Sequence, residues 1–189
     1  MRKLAFAGLF AFVALAANSA APAGWMVAGS APKDYEFNTD PVQVAGGQKS
    51  AHIKGKPGAA ESGFGTLMQM FAADEYRGGR WKLSARMRTQ DARKAQLWMR
   101  VDGPNQTMNG FDNMDDRPVT GTREWSLYEI VLDVPQDSVA IAFGFFLSGP
   151  GEVWADEFKL ERVTTATPLT GRMQKQEKPR GPVNLDFEE

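Results

Sequence analysis

The pattern that most limits the fold is alternation. Apolar residues recur with a period of two along one segment after another, and turn signals interrupt them at close intervals. Trp81, Leu83, Ala85 and Met87 point one way, and Lys82, Ser84, Arg86 and Arg88 the other, which describes a strand with a core face and a basic, wet face. The same period runs through Tyr128, Ile130, Leu132 and Val134. It returns in Val139, Ile141, Phe143, Phe145 and Leu147, whose opposite side carries Ala140, Ala142 and Gly144; small residues there leave a hollow or admit a close neighbour. Phe64 to Ala72 is apolar on both faces, with Phe64, Met68 and Met70 on one side and Leu67, Gln69 and Phe71 on the other, as in a central strand. Ser50 to Lys54 reads as a short strand, and Val153 to Val163 alternates with Trp154, Asp156, Phe158 and Leu160 on a common face. With no convincing helix, this pattern predicts an all-β antiparallel sandwich of the jelly-roll kind. Its expected core comprises Trp81, Leu83, Met87, Leu97, Met99, Val101, Tyr128, Ile130, Leu132, Ile141, Phe143, Phe145, Phe158 and Leu160.

The length of 189 residues suits one domain with tails. Arg2 and Lys3, the apolar run Leu4 to Ala17 and the small residues up to Ala23 have the order of a secretory signal peptide, with cleavage after Ala20 or Ala23. An exported protein, periplasmic or secreted and not inserted in the membrane after cleavage, is therefore expected. It has no cysteine, so burial or a bound ion has to supply its stability. The formal net charge is −1, and it drops by two when Arg2 and Lys3 leave with the leader. Such a surface has no bulk field to attract nucleic acid. The single histidine, His52, is expected on the surface of a strand and excludes a multi-histidine metal site. Thr164 to Pro182 reads as a flexible linker between a domain over residues 24–163 and a last strand, Val183 to Glu189.

The most informative stretch is Ala95 to Met114. Leu97, Met99 and Val101 fall on a core face, whereas Gln96, Trp98, Arg100 and Asp102 fall on the other. A large flat ring beside a forked donor and a carboxylate suits a polar, ring-shaped ligand better than catalysis. Gln90 to Lys94 is taken as the connection from the preceding strand; if the two strands pair in register, Arg86, Arg88, Gln96, Trp98 and Arg100 make one patch. The candidate ligand face is thus Gln69, Arg86, Arg88, Gln96, Trp98 and Arg100, with Asp112 and Asn113 from the following loop. The competing reading is a solvated sheet face with Trp98 covered by a loop. Asp112, Asn113, Asp115 and Asp116 offer oxygens for calcium or for ligand hydroxyls, or else serve as capping and turn chemistry.

Several ordered motifs carry a family resemblance: Phe64-Gly-Thr-Leu-Met-Gln69, Tyr76-Arg-Gly, Leu97-Trp-Met-Arg-Val-Asp102, Phe111-Asp-Asn-Met114, Trp125, Leu132-Asp-Val-Pro135 and Val153-Trp-Ala-Asp156. From Trp25 to Val163 the chain resembles a bacterial galactose-binding-like, carbohydrate-binding-module-like jelly roll, a kind also found attached to AraC-type transcriptional regulators. The resemblance implies that fold, a carbohydrate or similar polar ligand, and a structural calcium whose ligands here would include Asp156 and Glu188. Such modules begin with a strand of the form Asn-Leu-x-Phe-Glu, whereas here Asn184-Leu-Asp-Phe-Glu188 stands at the far end. A linker of about nineteen residues spans up to about 60 Å when extended. Residues 183–189 are accordingly expected to dock as the displaced first strand, in cis or in trans, or else to be the stub of a following module.

No nucleophile elbow, phosphate loop, zinc signature or cofactor fingerprint is present in the sequence. Asp102 with Asp112 would be the pair to suspect in a polysaccharide-active enzyme. The reading reached is an exported, non-catalytic binding module for carbohydrate or a similar polar ligand. An envelope protein–protein interaction module is the alternative, and an enzyme the more distant one.

Overall fold

The computed structural model describes residues 21–171. Nine strands follow in chain order: β1 Met26–Gly29, β2 Tyr35–Asp40, β3 Ser50–Gly55, β4 Phe64–Ala72, β5 Gly79–Asp102, β6 Met108–Asp112, β7 Val119–Val134, β8 Ala140–Ser148 and β9 Glu152–Val163. Three short 3-10 turns are the only helical pieces among the described residues. Every strand pairing is antiparallel. The chain is thus the all-β antiparallel jelly roll that the alternation predicts.

β5 organises the whole. Its 24 residues pair through Arg80–Gln90 with β9 and through Lys94–Asp102 with β8. One sheet therefore runs β2-β3-β9-β5-β7 and the other β1-β4-β8-β5-β6, with β5 as the shared member. The expected break at Gln90 to Lys94 is corrected here. The ladder with β7 continues past it through bulges, at Thr89↔Arg123, Ala92↔Gly121 and Ala95↔Val119, and Asp91 takes a positive φ of 48°. Bulges bend a strand without ending it, so the two segments are successive parts of one strand and cannot pair with each other.

The core lies between the sheets. Ile53, Leu83, Met87, Ile130 and Val153 from one sheet meet Leu67, Leu97, Met99, Phe145 and Leu147 from the other in one buried cluster. Trp25 closes one part of it, edge-on to Phe143 at 5.8 Å and to Phe158 at 4.9 Å. The common face expected for Trp154 and Phe158 is also corrected. Ser84 pairs with Lys159 but Arg86 with Asp156, a slip of one residue, and Glu157 takes a φ of 52°. That bulge leaves Trp154 on the outside, beside Arg88, while Phe158 and Leu160 pack against the core.

Part of the expected linker is held in place. Arg80 Nη1 donates to the carbonyls of Thr165 (2.9 Å) and Thr167 (2.7 Å), and Thr170 exchanges hydrogen bonds with Val131 on the free edge of β7. The rest of it, the segment 183–189 expected to form a last strand and to bring Glu188, and most of the segment expected to be a leader lie outside the described residues.

Candidate functional site

The predicted ligand residues divide between two sheets. Gln96, Trp98 and Arg100 lie on the outer face of the second sheet. Arg86 and Arg88 lie on the outer face of the first, and the single patch does not form. Gln69 shares the inner side of β4 with Leu67 and pairs with Phe143, so it faces away from Trp98.

Trp98 is 4% exposed. Its Nε1 donates to Thr66 Oγ1 at 3.0 Å, and Thr66 stands on β4, beyond β8. The indole therefore lies across β8, where the register puts Gly144 between Trp98 and Met68. A Cβ on Gly144 would strike the Leu67 carbonyl oxygen and stand 2.9 Å from Met68 Cα, so the position admits only glycine. Ala28, Met68 and Ala142 complete a small apolar cluster around the indole, with Phe111 and Phe146 at its margin. The stacking role expected of Trp98 is thereby corrected: its ring is covered and offers no face to a sugar. The hollow read from the small residues of β8 exists, and Trp98 fills it.

The acid and amide loop is held by its own contacts. Asp112 is buried; one of its oxygens accepts the Met114 N–H at 2.8 Å and the other the Arg117 guanidinium at 2.6 Å. Burial works to lower the pKa of Arg117, but the Asp112 and Asp116 carboxylates outweigh it and hold that pKa above its ordinary value. Gln96 Nε2 donates to the Asn113 carbonyl at 2.5 Å, tying the loop to the sheet. Asp102 is paired with Arg100 at 2.7 Å. The two carboxylates suspected of catalysis are therefore each neutralised by an arginine of their own. Asp156 accepts the backbone N–H groups of Ala45 and Gly46 at 3.0 Å and of Glu157 at 2.8 Å. Oxygens surrounded by N–H donors do not fit a calcium ligand, and Asp156 as placed caps the loop between β2 and β3.

The outer face of the first sheet is charged, and it contains features the sequence reading missed. One row crosses four strands, from Asn38 to His52, Trp154 and Arg88. His52 is 7% exposed rather than on the surface, and its ring stacks on Trp154 at 4.5 Å and 8°. The ring nitrogens meet the Asn38 amide at 3.0 Å and Glu152 Oε2 at 2.9 Å. Trp154 Nε1 donates to Asp40 at 2.8 Å. Burial lowers the His52 pKa, and the opposing pull of Glu152 and Asp40 does not restore it. A base depressed in the folded state binds its proton more readily when unfolded. Stability is therefore expected to be full above the unfolded histidine pKa of about 6.5 and to fall as pH drops from there toward the lower folded value. Thermal melts between pH 7.5 and 5 check this, and His52→Gln is expected to flatten that part of the profile.

Beyond this row the same face hollows into a groove of about 210 Å³. Its floor is Lys82, Ser84 and Arg86 of β5; β7 contributes Leu127 and Glu129, and β9 contributes Glu157, Lys159 and Glu161. Opposite charges face one another across strands: Lys82 with Glu129 at 2.9 Å and Arg86 with Glu157 at 2.9 Å. Such pairs favour the register and line the groove with both donors and acceptors. Leu127, 55% exposed, supplies an apolar rim. The outward alternation of charges in β7 and β9 was the signal available in the sequence for this groove.

The jelly roll is shared with solved structures of low sequence identity. The C-terminal family 22 carbohydrate-binding module of Clostridium thermocellum Xyn10B aligns with a TM-score of 0.56 at 12% identity, over 77% of this chain and 89% of the module. The enzymatically active domain of bacteriophage CBA120 tailspike protein 4 aligns at 0.58 with 11% identity, over 75% of this chain and 20% of that one. No family model matches the sequence. Much nearer in sequence is the uncharacterized HTH-type transcriptional regulator YbfP of Bacillus subtilis (strain 168), 43% identical over 167 residues. That alignment spans 88% of this chain and 57% of the regulator, so the chain covers little more than half the length of its relative.

Proposed function

We propose that this protein is a non-catalytic module that binds a carbohydrate in the groove on the outer face of its first sheet. The observation that carries the reading is the groove itself, a shallow cleft in which charged donors and acceptors alternate around Ser84. Vicinal hydroxyls both donate and accept, and a lining of both kinds satisfies them. The fold shared with family 22 carbohydrate-binding modules supports the choice of ligand. The basic, apolar and small-residue order of residues 1–23 supports export of the module.

The test is a glycan and polysaccharide array on the mature protein, beside a variant carrying Arg86→Ala and Lys159→Ala. Selective binding is expected, weakened at least about tenfold in the variant with an unchanged melt, since each lost charge-assisted hydrogen bond costs about 1.5–3 kcal/mol. Silence of the folded protein across the panel sinks the proposal, as does binding that ignores the groove.

A second reading rests on the 43% identity to a protein named as a transcriptional regulator. In it the shared part is the ligand-sensing portion of that regulator, and the two proteins bind the same class of ligand. A ligand found for this chain that leaves the regulator's matching segment untouched counts against it.

A further inference from the structure

Arg88 is unlike the other half-buried arginines of the protein. Arg80 holds Asp133 through two hydrogen bonds of 2.7 and 3.0 Å, Arg100 is paired with Asp102, and Arg117 with Asp112. The Arg88 guanidinium makes no hydrogen bond among the described residues. Its side chain is 16% exposed, and the one ion pair it makes among the described residues is with Glu124, at 3.5 Å and to a side chain 81% exposed. Nη1 is buried without a partner. The guanidinium lies over the Trp154 ring, 5.3 Å from its centroid, and that ring is fixed by Asp40 and His52. Stacking orients the planar group but uses none of its N–H donors.

A guanidinium so far removed from water and so poorly compensated costs stability. A buried polar group left so poorly met calls for a specific explanation, and a ligand that brings acceptors to the guanidinium supplies one. Nη1 is closed off from solvent, so a ligand meets the other edge of the group, Nε and Nη2, where Glu124 approaches; that flat fork matches a carboxylate in two parallel hydrogen bonds. Arg88 is the next outward residue after Arg86, about 7 Å further along the strand, so a molecule lying in the groove can extend to it.

We infer that Arg88 is the anchor for a carboxylate and that the ligand of the groove is an acidic saccharide, one with uronic acid residues. This rests on the carbohydrate reading and narrows it. The exposed Glu124 occupies the approach to Arg88 and swings out as the sugar carboxylate takes its place.

The experiment compares galacturonan, alginate and glucuronoxylan with the carboxyl-reduced form of each, in which only the acid becomes an alcohol, by titration calorimetry on the mature chain. At least one acidic polymer is expected to bind about tenfold or more tightly than its reduced form. Arg88→Gln should abolish that preference. Glu124→Gln, a change at an exposed side chain, should strengthen acidic binding several-fold, and it decides the matter even if Arg88→Gln folds poorly. Equal binding of acidic and reduced polymers, lost on Arg86→Ala with Lys159→Ala, overturns the role of Arg88 and leaves the carbohydrate reading standing. An acidic preference untouched by both Arg88→Gln and Glu124→Gln overturns it as well. Binding to no saccharide of any kind overturns both.

Discussion

Replacing Trp98 with alanine is expected to lower the melting temperature by roughly 6–20 °C. A buried Trp→Ala change costs about 3–5 kcal/mol, and in a domain of this size each kcal/mol moves the midpoint by about 2–4 °C. The cost has two sources here. The indole fills the space across Gly144, and its removal strips Ala28, Met68 and Ala142 of their common neighbour. It also removes the N–H donated to Thr66, though that hydroxyl keeps its bond to the Phe145 carbonyl at 2.8 Å. A circular dichroism melt decides the point. A shift below about 3 °C would show that the ring contributes little to the second sheet, contrary to its 4% exposure. Sugar binding is expected to survive the change at temperatures where the variant is folded, because Trp98 and the groove lie on different sheets.

Tyr35→Phe is the second large effect, obtained by deleting one oxygen. The Tyr35 hydroxyl donates to the Gly63 carbonyl at 2.9 Å and accepts the Gly149 N–H at 2.9 Å. It therefore joins β2 to the loop before β4 and to the turn between β8 and β9. Burial raises the phenol pKa, keeping the proton that the Gly63 bond needs. Phenylalanine preserves the ring packing but leaves two main-chain groups unmet. Each buried polar group so orphaned costs about 1–3 kcal/mol, which gives an expected loss of about 2–6 kcal/mol for the two. Urea unfolding measures it, and faster hydrogen exchange at the Gly149 N–H should accompany it. A variant as stable as the parent would mean that water replaces the hydroxyl at both groups.

Alternation alone was enough to read most of the strands and the class of fold, because the inner residues of each are set by a period of two. It placed Gln96, Trp98 and Arg100 on an outer face correctly. What it could not supply was the cover over that face. The burial of Trp98 depends on Gly144 and Thr66, on strands that only the register brings alongside. The division of β5 into two strands failed for a local reason: Gln90, Asp91, Arg93 and Lys94 have the polarity of a loop, and the bulges that absorb them leave no separate mark. At Asp156 and Glu157 one extra residue exchanges inside for outside, so a strict period of two places Trp154 and Phe158 on one face when they lie on opposite ones. The burial of His52 is not legible locally, because its partners Glu152 and Trp154 lie about a hundred residues away in the chain. The groove was half legible: Arg86 was named, whereas Lys159 and Glu129 gain meaning only beside it.

A strand that serves two sheets has a further consequence. Because β5 contributes Leu83 and Met87 on one side of the bend and Leu97 and Met99 on the other, neither layer holds a core of its own. Slow exchange of the deepest amides should therefore track the global unfolding free energy in both layers alike. The molecule is therefore expected to unfold as one cooperative unit, and cutting the backbone within residues 89–95 should abolish folding of both fragments, where a cut in an exposed loop would be tolerated.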